Sequence, residues 1–72
     1  MTVIRFNKEI YPGAAILGTA DAFGHLAKIT VTEEKDSFTV SFSDCVYSEQ
    51  RTLLEFGNYV IDLMNNLDHG NH

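Results

Sequence analysis

The residues of this chain that could do chemistry are few and scattered. They are Cys45 beside Asp44, His25 after a glycine, carboxylates at Asp21, Glu49, Glu55 and Asp62, and a terminal run Asp68-His69-Gly70-Asn71-His72. Imidazole and carboxylate are good transition-metal ligands, but a structural site wants about four ligands, each oriented by partners of its own. A chain end fixes no such geometry, so no metal is expected there. His25 has no partner nearby for acid–base work and reads as a loop residue just past a helix end. A reactive Cys45 needs a cationic or helix N-terminal setting. It stands shortly before Ser48, which suits a helix cap, but its nearest charge is Asp44, which raises a thiol pKa, so a small semi-buried apolar residue is the better reading. Gly13, Gly18 and Gly24 do not form a G-x-G-x-x-G fingerprint, and no lysine follows as in a phosphate-binding loop. No cofactor and no catalysis by this chain alone are expected, because a domain this small can hardly enclose a pocket of hundreds of cubic ångströms.

The elements that must position these residues begin with a run of alternation. Ala27-Lys28-Ile29-Thr30-Val31-Thr32 and Phe38-Thr39-Val40-Ser41-Phe42-Ser43 place apolar residues at every second position, which predicts a β-hairpin with one apolar and one hydroxyl-rich face. Between the two runs there is no Asn-Gly or Asp-Gly pair, so a four-residue loop over 33–36 is expected. Val3-Ile4-Arg5-Phe6 predicts a first strand over residues 2–7. Tyr11-Pro12 opens a helix with proline at its first position, stopped near Gly24-His25. Ile16, Ala20 and Phe23 share a face with Gly13, while Gly18 falls opposite.

Ser48 is a good N-cap for a second helix over 49–67, although Arg51 occupies the position of a capping-box glutamate. At about 100° per residue, Leu53, Leu54, Phe56, Gly57, Val60, Ile61, Leu63, Met64 and Leu67 fill one half of that helix and Arg51, Glu55, Asn58, Asp62, Asn65 and Asn66 the other. Gly57 reads as a point of close approach to the sheet or the first helix. The order β-α-β-β-α predicts an α+β, two-layer sandwich: a three-stranded mixed sheet with both helices on one face, and strands one and two parallel through a right-handed crossover. Whether strand two or strand three is central is left open by the sequence. One domain over 1–68 is expected, with 69–72 a disordered tail.

Composition narrows the classes of function. With 72 residues, the chain is expected to be only modestly stable, since small cores yield about 3–5 kcal/mol and lean on a disulfide, metal or partner. One cysteine excludes an internal disulfide. A net charge of −5 is the wrong sign for phosphate backbones, so nucleic acid is not an expected partner. No apolar run approaches the 18 or so residues of a membrane span, and the first residues are too interrupted for a signal peptide. A cytoplasmic setting is the expectation, and a lone thiol fits it.

Tyr11, Ala15-Ile16, Ala20 and Phe23, then the hairpin, then Glu55-Phe56-Gly57-Asn58-Tyr59-Val60-Ile61-Asp62 carry a resemblance over residues 11–64. This succession resembles the small D component (HxsD-like) of the His-Xaa-Ser system, whose members end in a helix reading approximately Glu-Phe-x-Asn-Tyr-Leu-Leu-Asp. The family continues with an arginine-containing segment where this chain ends soon after Leu67. The resemblance implies a non-catalytic accessory or adaptor protein of a peptide-maturation system, with a radical S-adenosylmethionine (radical SAM) enzyme or its precursor peptide as the partner. It also implies Glu55, Asn58, Tyr59 and Asp62 as partner-binding positions, a reading that needs them to form one patch with Tyr47 or Tyr11. If a peptide is captured, strand addition at a sheet edge is the expected mode. The rival expectations are a homodimer that associates through the hydroxyl-rich sheet face or an edge strand, and a thiol redox factor acting through Cys45.

Overall fold

A computed structural model describes the backbone of residues 2–69 and the side chains of residues 2–66. Strand β1 spans Thr2–Asn7, helix α1 Gly13–Ala22, β2 Lys28–Glu33, β3 Ser37–Ser43 and α2 Glu49–His69. The expected order and all five elements are present. The expected tail is helical at its first residue, His69, and residues 70–72 lie outside the described residues.

The sheet order is β1-β3-β2. Both ladders are antiparallel, with Ile4 opposite Val40 and Val31 opposite Val40. Strands β1 and β2 run the same way, as the crossover requires, but β3 lies between them and they share no ladder. The sheet is therefore antiparallel throughout rather than mixed. The central place of β3 follows from its side chains. Phe38, Val40 and Phe42 are all buried, whereas Ile4, Ile29 and Val31 on the outer strands are only half-buried. A strand flanked on both sides loses more of its surface than an edge strand does.

Pro12 sits at the N-cap of α1, one residue earlier than expected, and its carbonyl accepts the N–H of Ala15 at 3.1 Å and of Ile16 at 3.3 Å. Gly13 then brings α1 onto the sheet, because a Cβ there would stand 3.0 Å from Phe38 Cζ. Gly18 was expected to face away, but a Cβ there would meet Leu63 Cδ1 at 3.2 Å, so it lies toward α2. Ser48 caps α2 as expected: Arg51 N–H donates to Ser48 Oγ at 3.2 Å and Thr52 N–H to Ser48 O at 3.0 Å. The hairpin connection is one residue shorter than expected, since β2 continues through Glu33, which pairs with Phe38. Lys8 Nζ forms an exposed ion pair with Glu33 Oε2 at 2.8 Å beside that residue.

Phe56 on α2 is the hub of the core. Its ring lies 5.1 Å from Phe42, 5.5 Å from Phe23 and 6.0 Å from Phe6. One fully buried side chain thus joins β3, the end of α1 and β1 to α2, within a cluster that also holds Ile16, Val40 and Val60.

Candidate functional site: an open strand edge beside an apolar groove

β1 stands at the edge of the sheet, so its outer row of backbone N–H and C=O groups has no ladder partner among the described strands. Beside that edge runs a groove of about 260 Å³ lined by Ile4, Phe6 and Tyr11 on one side and Leu53, Leu54, Gly57, Asn58 and Ile61 of α2 on the other. The groove explains two departures from the helical pattern. Leu54 and Ile61 belong to the apolar half of α2 yet are 59% and 48% exposed, because they point past β1, where no described element covers them. Gly57 was expected to permit a close internal approach, but a Cβ there would meet nothing within 4 Å. It forms part of the groove surface instead.

A larger concavity of about 330 Å³ lies near the hairpin tip, lined by Arg5, Asn7, Asp36 and Ser37. Its four lining residues all carry polar or charged side chains and offer less apolar surface than the β1 groove does, and the Asp36 carbonyl is already bonded to Lys8 N–H at 3.0 Å. Burying it would gain little, since the driving force for association is removal of apolar surface from water. The β1 groove is the stronger candidate.

Of the five positions expected to bind a partner, the four on α2, Glu55, Asn58, Tyr59 and Asp62, follow an i, i+3, i+4, i+7 spacing and share one exposed arc of the helix about 100° wide. Asn58 lines the groove. Tyr59, the next residue, turns about 100° around the helix and packs edge-on against Phe23 at 5.5 Å, on the α1 side. Glu55 accepts from Arg51 Nε at 3.5 Å, and the same guanidinium lies 4.6 Å from the Tyr47 ring centroid, so Tyr47, Arg51 and Glu55 form a small exposed group at the start of α2. Asp62 is exposed on the outward face. Only Asn58 belongs to the groove. The residues that sequence reasoning missed, Ile4, Leu54, Gly57 and Ile61, had one available signal: the apolar arc of α2 covers half the helix, wider than the stripe of roughly 100° that one neighbouring layer buries.

The remaining reactive groups are dispersed. Cys45 is half-buried against the core cluster, after Asp44, whose φ of 51° turns the chain out of β3. Val46 N–H then bonds Leu26 O at 2.8 Å. His25 and Asp21 are exposed, and Glu49 accepts the Thr2 hydroxyl, tying β1 to the start of α2. Among the described residues there is no group of three or more His, Cys, Asp or Glu suited to a metal and no helix long and apolar enough to cross a membrane. Glu34 has a pKa below the usual carboxylate range, held down chiefly by a hydrogen bond from the Thr39 hydroxyl and further by Arg5. It is a solvent-exposed feature of the hairpin end, remote from the groove.

Comparisons of the chain with protein-family models, with curated proteins and with solved structures find no match.

Proposed function

We propose that this chain is a non-catalytic docking domain that takes an extended segment of a partner protein or peptide as an added strand on β1. The observation that carries this reading is the coincidence of an open strand edge with an apolar groove directly beside it. In strand addition the main-chain bonds supply affinity for any extended sequence, and pockets for alternate side chains supply selectivity. Ile4, Leu54 and Ile61 give apolar side chains of the added strand a place to be buried. A net charge of −5 favours basic segments through long-range attraction. The resemblance to the D component of the His-Xaa-Ser system supplies the partner class: a precursor peptide or the radical SAM enzyme that modifies it.

The test is a calorimetric titration of the products of neighbouring genes into the wild-type chain and into Leu54→Glu. Leu54 is 59% exposed, so the charged side chain is tolerated by the fold while a carboxylate enters the groove. Binding by the wild type that Leu54→Glu abolishes supports the reading. Equal binding by both moves the partner off the groove and refutes it. Thr30→Glu, on the hydroxyl-rich face of the sheet, is the control that should bind normally.

A further inference from the structure

We propose that, when no partner is bound, the β1 edge is occupied by a second copy of this chain, the two β1 strands pairing antiparallel about a two-fold axis. This rests on the reading of β1 as a docking edge and names the occupant in the free protein.

Three observations favour self-docking. The first is spacing. α2 lies against β1 and β3, and α1 against β2. Strands repeat at about 4.8 Å, so a two-fold beside β1 would set the two α2 axes about two strand spacings apart, close to the 8–10 Å at which helices pack.

The second is the pattern on α2. A two-fold relates the helices antiparallel, and with its axis at Gly57 and Asn58 it places Leu54 of one copy against Ile61 of the other. Gly57 falls at the crossing, where the lack of a Cβ lets the partner helix approach. A glycine inside a helix is destabilising, and among the described residues nothing beyond its own turn of helix comes within 4 Å of this one's Cβ position. A partner helix gives it a purpose.

The third is the register of β1 itself. Pairing centred on Ile4 puts Ile4 opposite Ile4 on the core-facing side and Val3, 54% exposed, opposite the aliphatic stem of Arg5. Centring on Arg5 would oppose two like charges, which cross-strand pairing disfavours. Centring on Ile4 thus pairs the apolar residues of the edge without opposing like charges.

The area suffices. A flank about 20–30 Å long, set by β1 and α2, and about 20 Å deep with side chains buries on the order of 500 Å² per copy, reaching the total of roughly 1,000 Å² that a specific interface needs. Because each copy carries −5, added salt should tighten the dimer by screening. A partner strand and the second copy compete for the same edge, so partner binding should weaken as the chain is concentrated.

Sedimentation of the wild type, Ile61→Glu, Gly57→Leu and Leu17→Glu over a dilution series tests the proposal. Leu17 is an exposed residue of α1 and serves as the control. The wild type and Leu17→Glu should pass from monomer to dimer with concentration, and the two groove variants should raise the dimer dissociation constant by about tenfold or more. Cooperative melting of Gly57→Leu, whose side chain enters open space, shows that the change is not unfolding. A wild type that stays monomeric, or a dimer indifferent to both groove variants, overturns the second copy. If that monomer still binds a partner in a Leu54-dependent way, the docking edge stands without the dimer; if it binds none, both readings fall.

Discussion

Adding a methyl group at Gly57 should make the monomer more stable. A glycine inside a helix costs roughly 0.5–1 kcal/mol relative to alanine, because it gives up more backbone freedom on folding. At Gly57 no tertiary contact among the described residues opposes that gain, since none comes within 4 Å of a Cβ there. Gly57→Ala should therefore gain about 0.5–1 kcal/mol, which in a domain of this size raises Tm by roughly 2–8 °C. The same change at Gly13 should have the opposite sign. There the new methyl would stand 3.0 Å from Phe38 Cζ, and that buried ring is held by the sheet, so overpacking should cost about 1–3 kcal/mol. Gly18→Ala falls between, because Leu63 Cδ1 at 3.2 Å belongs to a half-buried side chain that can shift. The assay is urea unfolding followed by circular dichroism, at concentrations where the midpoint no longer depends on protein concentration. A loss of stability in Gly57→Ala would refute the placement of Gly57 on an uncovered surface, and a neutral Gly13→Ala would refute the close seat of α1 on Phe38.

Phe56→Ala removes the ring that touches Phe6, Phe23 and Phe42 and should cost about 3–5 kcal/mol, enough to abolish the cooperative melting transition of a domain with so small a margin. Ser48→Ala deletes the acceptor for Arg51 N–H and should lower the urea-derived stability by about 1 kcal/mol. Glu34 should titrate below an ordinary glutamate in a carbon-detected NMR titration, and Thr39→Val should move it upward by removing the leading hydrogen bond. A depressed folded-state pKa adds stability that is present above the unfolded value and fades as pH falls through the folded one, so any contribution from this exposed group disappears on acidification. Asn58→Ala should leave stability within about 0.5 kcal/mol of wild type, whereas Tyr59→Ala should cost more by losing the edge-on contact with Phe23.

The parts of the fold that were legible in the sequence are those with a strict period. Alternation in β2 and β3 gave their faces, and Ser48 marked the start of α2, because side-chain direction and capping are local properties. Strand order was not legible, since all three strands carry apolar residues at alternate positions, and only the tertiary fold shows that β3 alone buries its whole inner face. The candidate site was hidden for a related reason. Leu54 and Ile61 follow the same helical period as Phe56 and Val60, and periodicity does not say how much of an apolar arc the neighbouring layer will cover. Gly18 and Gly57 exchange their expected roles on the same ground: a glycine's neighbours come from the packing of other elements. The polar residues carried over by resemblance share one exposed arc of α2, with Asn58 on its groove side and Tyr59 on its α1 side, so that arc meets the groove only at Asn58.

The central claim, that β1 and the adjoining flank of α2 form the docking surface, is tested most directly by assigned backbone amide spectra of isotope-labelled chain, recorded through a dilution series and again with each neighbouring gene product added. The account predicts shifts confined to β1 and to α2 between Leu54 and Ile61, in both experiments. Shifts centred on β2 or on the hydroxyl-rich face of the sheet, with β1 unmoved, would contradict it.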